Sequence, residues 1–245
     1  DSEVVFDGSE AQTIYAGVDN TFNSVQISNN VTVSSENLST ASLVIDNLKT
    51  LSLAANAQAL VTDTYTNNGV LSLAAVSALI YHNGITYDYY GGATGIAKSS
   101  LISDFAETDN VSIKSGVFTQ DMDSAALSLT IDAGTTYTMT AGDLDLGGSL
   151  TNNGTLNADN TINIAGNWDN NGTVNEGDSE VVFDGSEAQT IYAGVDNTFN
   201  SIEIANNVTV SSENLQTATL TIDSEKTLSL ASNAQALVTG TYTNN

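Results

Sequence analysis

The sequence contains no cysteine, no proline and no arginine, and its single histidine is His82. Without cysteine there is neither a disulfide framework nor a thiolate metal site. Four lysines stand against 29 acidic residues, for a formal net charge of −25. Phosphate contacts draw on Lys and Arg, so nucleic acid is excluded as a partner. No stretch reaches the roughly 18 continuous apolar residues of a membrane helix, and no membrane insertion is expected in this segment. Aromatic residues make up only 7% of the 245, too little material for one bulky globular core. Missing proline, with abundant Asn, Thr, Ser, Ala and Gly, suits thin strands joined by many tight corners. Hydrophobic content of 40% still allows a large core and argues against a disordered chain. Charge of one sign keeps such a strand-rich object soluble and discourages lateral pairing.

What is present is repetition. Residues 144–161 read LDLGGSLTNNGTLNADNT, and residues 162–179 read INIAGNWDNNGTVNEGDS. A shift of 18 places Leu144, Leu146, Leu150 and Leu156 on Ile162, Ile164, Trp168 and Val174. The same shift places Asn152, Asn153 and Gly154 on Asn170, Asn171 and Gly172. Apolar residues two apart mark short inward-facing strands, while Gly-Gly-Ser and Asn-Asn-Gly mark corners. Three strands and three corners in 18 residues predict one coil of a β-solenoid, stacked on the next at about 4.8 Å. The Asn-Asn-Gly corners are read as structural: Asn tolerates left-handed backbone angles, Gly prefers them, and stacked Asn side chains form ladders. Asn67, Asn68 and Gly69 form a third corner of this kind.

Residues 1–68 recur as 178–245 with ten differences, and the first 24 letters are identical. Val25→Ile202 is the one difference at a position read as inward, and it stays apolar. Gln26→Glu203, Ser42→Thr219, Val44→Thr221, Leu48→Glu225 and Asp63→Gly240 fall on outward or corner positions. One full module therefore spans 1–177, and a second begins at 178–245 without a linker. The segment opens inside a module and stops in mid-corner at Asn245, which predicts an excerpt of a longer filament of coaxially stacked modules. Further copies of the module along the chain are its first expected partners. Within the module, residues 76–124 break the pattern and are predicted to be an irregular excursion, with AVSAL and AKSSLISDF each able to form a helical turn. Tyr81, Tyr87, Tyr89 and Tyr90 crowd into ten residues there. As exposed tyrosines they would offer a contact surface for glycans or protein; as buried ones, a local core.

Chemistry is sparse. Asp121 and Asp123 have the spacing of a carboxylate pair on one strand face but no basic partner nearby. His82 has no recognisable acid or nucleophile motif around it. No catalytic residue is assigned. Asp-rich corners such as Asp143/Asp145 and Asp104/Glu107/Asp109 offer oxygen ligands, so structural calcium is the one cofactor considered; no calcium-loop motif supports it, and no metal ligand is assigned. Thr-x-Thr runs at 62–66 and 136–140 have the spacing of an ice-binding face. Such a face needs the pattern on successive coils, and these runs lie far apart, so ice binding is not expected.

The NNGT corners, GNWDNNGT at 166–173, SEVVFDG at 2–8, and AQTI followed by FNS-x-x-I carry a resemblance. They are similar to repeats of large secreted bacterial adhesins of the filamentous haemagglutinin and autotransporter type. The likeness covers most of the chain outside 76–124, rests on corner chemistry, and transfers no functional residue. It implies an all-β, right-handed parallel β-helix with coils of about 18–22 residues, and an extracellular, cell-surface location. The expected role is a structural or adhesive repeat segment, not an enzyme, with neighbouring filaments, cell surfaces or glycans as further partners. A polysaccharide-degrading β-helix enzyme and an array of β-sandwich domains are the alternatives. The 18-residue step argues against sandwiches.

Overall fold

The computed structural model describes residues 2–17, 21–34, 36–194, 198–211 and 214–245. Nearly all regular structure is strand, and the described residues contain one 3₁₀ turn, Lys98–Ser100, and no α-helix. The fold is a parallel β-solenoid. Two compact units divide it: residues 1–104 with 114–118, and residues 105–113 with 119–245.

In unit 2 the 18-residue repeat becomes register. Leu144, Leu146, Leu150 and Leu156 lie opposite Ile162, Ile164, Trp168 and Val174, each pair on parallel strands. One coil consists of Leu144–Leu146, Leu150–Asn152 and Thr155–Asn157, three strands separated by three corners. Alternation turns Leu144, Leu146, Leu150, Leu156 and their four partners into the core, where all eight are buried. Each such side chain contributes about 1.5–3 kcal/mol through burial. The Trp168 ring also packs on Phe199, centroids 5.1 Å apart.

Corners work differently from expectation. Gly69, Gly154 and Gly172 are not among the glycines with positive φ, and neither Asn68, Asn153 nor Asn171 is left-handed. Close approach explains the glycine. A Cβ on Gly172 would lie 2.2 Å from the Gly154 carbonyl oxygen, and one on Gly154 2.5 Å from the Asp132 and Thr135 oxygens. The first Asn closes each corner on itself: Asn67, Asn152 and Asn170 accept from the backbone N–H of Gly69, Gly154 and Gly172 at 3.1–3.2 Å. The expected ladder is present between coils. Asn152 Nδ2 donates to Asn170 Oδ1 at 2.8 Å, and Asn170 Nδ2 donates to the Ala193 carbonyl at 2.8 Å. Both Asn side chains are fully buried, so the ladder satisfies groups that would otherwise carry a desolvation penalty.

Unit 1 stacks Glu3–Phe6, Thr21–Ile27, Leu38–Ile45, Gln58–Asn67 and Ala78–His82 in parallel along one wall. Gln12–Ile14, Val31–Val33, Thr50–Leu53 and Val70–Leu73 form another. Between them Val25, Ile27, Val33, Leu43, Ile45, Leu51 and Val61 make a continuous apolar core. The repeated sequence also repeats an irregularity: register shifts at Thr40/Ser42 and again at Thr217/Thr219. At both, the buried Thr hydroxyl donates to the carbonyl two residues on, at 2.8 Å.

The irregular stretch is shorter than 76–124. Ala78 is already in register with Gln58, and Asn110 with Ser128. AKSSL gives the single 3₁₀ turn, while AVSAL runs into the strand Ala78–His82, having no side-chain cap to start a helix.

Gly172→Ala is expected to cost about 1–3 kcal/mol by overpacking against the coil beneath. Urea unfolding measures it, and an unchanged midpoint would show that the corner relaxes freely.

Candidate functional site

The departure from the coil pattern in unit 1 is a hairpin and the loop that follows it. Ala78–His82 pairs antiparallel with Thr86–Gly91, placing Tyr87 opposite His82 and Asp88 opposite Tyr81. The turn is built by Asn83 and Gly84. Asn83 Oδ1 accepts from Ile85 and Thr86 N–H at 3.2 and 2.9 Å, and Gly84 has φ 86°, which hairpin turns of the primed types require. Ile85 stands at the tip, 65% exposed.

Tyrosines divide between two roles. Tyr87 and Tyr89, grouped with the candidate contact residues, are 0% exposed; this corrects the surface reading for both. Alternation along Thr86–Gly91 explains it, because every second residue of a half-buried strand points inward. Tyr89 packs edge-on against Phe118 at 5.1 Å; its hydroxyl donates to the Val117 carbonyl at 3.0 Å and accepts from Ile96 N–H at 3.1 Å. Burial pushes its pKa up to about 12. Tyr81 and Tyr90 are half-buried and pack against the coil core with Tyr65. Tyr65 meets Tyr90 edge-on at 5.6 Å and Tyr81 at 6.4 Å. Burial and then the neighbouring Tyr90 raise the Tyr65 pKa. Tyr81 keeps its hydroxyl at the surface, donating to the Asp63 carbonyl at 3.0 Å and accepting from Asn83 Nδ2 at 3.0 Å.

Residues 98–104 are pinned. Tyr87 Oη donates to the Ser103 carbonyl at 2.7 Å, and His82 Nδ1 lies 3.2 Å from Ser103 Oγ. The buried Lys98 ammonium pairs with Asp104 at 2.8 Å. Gln58 does what a neighbouring strand would: Nε2 donates to the Ser100 carbonyl at 2.8 Å and Oε1 accepts from Ile102 N–H at 3.0 Å. Sequence reading missed Gln58, because nothing in its own strand marks a side chain that partners a loop more than 40 residues away. A Ser and a His in contact are not by themselves a nucleophile and base. Tyr81 and Asp88 pair with each other on the opposite side of the hairpin from His82 and Tyr87.

Asp109, Asp123 and Asp143 hold backbone, and Asp145 holds a side chain on the next coil. Asp123 Oδ1 accepts from Asp143 N–H and Asp143 Oδ1 from Thr161 N–H, both at 3.1 Å, while Asp145 Oδ1 accepts from Asn163 at 2.7 Å. Asp109 Oδ2 accepts from Ala106 N–H at 2.7 Å. Asp121 ends the strand Val117–Asp121, whereas Asp123 sits in the following corner, so the two do not share a strand face. Among the described residues no group of three His, Cys, Asp or Glu could hold a metal ion. An open groove of about 470 Å³ runs beside Ala125, Asp145, Asn163 and Asp184 in unit 2.

The threonine run at 136–140 does continue on successive coils. Thr136 lies on Thr155 and Thr173, and Thr138 on Asn157 and Asn175. The asparagines replace Thr at the second position, which hid the continuation. They also bond along the stack, Asn157 to Thr138 at 2.9 Å and Asn175 to Asn157 at 2.7 Å. That uses the polar groups for cohesion.

No known protein family matches the chain, and no curated protein or solved structure shows significant similarity to it.

Gln58→Ala is expected to free the loop while sparing the coils. Hydrogen exchange at Ser100–Asp104 should rise by about tenfold, the effect of losing roughly 1–1.5 kcal/mol of hydrogen bonding. Equal acceleration in Leu38–Ile45 would show instead that Gln58 supports the whole wall.

Proposed function

We propose that the chain is a structural and adhesive repeat segment of a long extracellular surface filament. The observation that carries this reading is the second copy. Residues 178–201 repeat 1–24 letter for letter, and the repeat enters the stack in parallel register with no linker, Val181 opposite Ile162 and Phe183 opposite Ile164. A module that begins by pairing with the last coil of the one before it is suited to indefinite extension. Carboxylate and Asn side chains at the corners serve cohesion, which fits a body whose task is length. The net charge of −25 supports exposure to water on all sides. Adhesion, in this reading, belongs to the hairpin, the part of unit 1 that leaves the coil pattern, through Ile85 and the edges of Tyr81 and Tyr90.

A tandem of four modules imaged by electron microscopy is expected to show an unbroken rod. Each 177-residue module should advance by roughly 40–48 Å, about nine coils at the usual strand spacing. Separate beads joined by flexible linkers would refute the filament. For the adhesive part, Ile85→Ser, at the exposed tip, should lower retention on glycan-coated surfaces several-fold without changing the unfolding midpoint. Unchanged retention would remove the hairpin from adhesion and leave the segment a spacer.

A further inference from the structure

Two of the ten differences between the copies fall on one spot of the outer wall. In unit 1, Gln26 lies opposite Val44, two residues before Asp46. Its amide donates to both Asp46 carboxylate oxygens, at 3.1 and 2.9 Å, and the Ser28 hydroxyl donates to Oδ2 at 2.6 Å. Those two donors, Ser28 first and Gln26 second, hold the Asp46 carboxyl below its ordinary range, with a smaller contribution from Lys49.

The matching residues in unit 2 are Glu203, Ala205 and Asp223. Both donors are gone, and a second carboxyl stands in the place of the amide. Glu203 lies opposite Thr221, two residues before Asp223, in the register that put Gln26 in contact with Asp46. On its other side Glu203 lies opposite Val182, with Glu180 two residues earlier. Asp223 and Glu180 act on it directly, and the same neighbouring coils also carry Asp184 on one side and Glu225 and Lys226 on the other. Its own strand, Phe199–Ile204, adds Ser201, and Thr243 lies one coil further on, opposite Thr221. Glu180 is turned to the Ser201 hydroxyl at 3.2 Å.

We propose that Glu203, set beside Asp223 by the register of the two strands, takes up a proton in mild acid, which tightens this part of unit 2 and leaves the matching part of unit 1 unchanged. Burial, then Asp223 and Glu180, push the Glu203 pKa above its ordinary 4.5. Linkage sets the signs. A carboxyl raised in the folded state favours the fold fully below 4.5 and loses that contribution as pH rises through the folded value. Asp46 is lowered from 3.8, so its contribution persists above 3.8 and is lost only as pH falls through the lower folded value. Between neutral pH and 4.5, then, one copy responds and the other does not.

Hydrogen exchange, corrected for intrinsic pH dependence, tests this on the intact chain. From neutral pH down to about 4.5, protection across Phe199–Ile204 and Leu215–Ile222 should rise by about two- to threefold, a modest change because solvent screens a carboxyl that is mostly exposed. Protection across Thr21–Ile27 should stay flat in the same sample. Glu203→Gln with Ala205→Ser should flatten unit 2, and Gln26→Glu with Ser28→Ala should bring the rise to unit 1. A flat wild-type profile, or a rise that survives Glu203→Gln with Ala205→Ser, overturns the proposal.

Discussion

Hydrogen bonds between successive coils, and the apolar columns they bring into line, are what the rest of the structure depends on. No coil has enough side chains to bury its own inner face; it is buried by the coil above and the coil below. The two copies make this visible with nearly the same letters. Leu53 is paired against Leu73 and is 2% exposed, whereas its counterpart Leu230, on a strand with one neighbour, is 47% exposed. Burial here is a property of stacking and not of the local sequence. Parallel register is equally unforgiving, since a slip of one residue would turn Leu150, Trp168 and Ile191 outward together.

That dependence explains why so much of the fold was legible. Leu144 to Val174 display the inward column, the corner and the step in plain letters, and the register follows residue for residue. The corners were found for a partly mistaken reason. Glycine at 154 and 172 answers to a carbonyl pressing from the next coil, a contact between residues far apart in sequence that no local turn rule contains. Thr138, Asn157 and Asn175 were missed as a column because their letters differ, although their positions do not. The hairpin was half legible. Alternation in Thr86–Gly91 and the Asn-Gly turn signal were both present, yet density of tyrosine suggested a surface where strand geometry sends Tyr87 and Tyr89 inward. Gln58 was not legible at all, because its partners are backbone atoms of a loop without a pattern.

The candidate site is therefore a device for holding a departure in place. Tyr87, His82, Gln58 and Lys98 all bind the loop down, and between them they use nearly every polar side chain that could have done chemistry. What stays outside is a two-residue turn and the edges of two aromatic rings. A scaffold that invests its histidine, a buried lysine and one of its tyrosines in fixing 98–104 gains shape at one place on an otherwise repetitive wall.

The buried Asn152–Asn170 ladder points along the stacking direction, ending on the Ala193 carbonyl, and the backbone bonds between coils point the same way. A pull in that direction loads those bonds end-on and not in shear. Coils then yield one after another, each at about the same force, because each is held by the same kind of contact. An 18-residue coil that occupied about 4.8 Å of stack pays out on the order of 60 Å of chain when it lets go. Under tension the segment is extensible by more than tenfold for every coil released, and it dissipates work in steps of one coil.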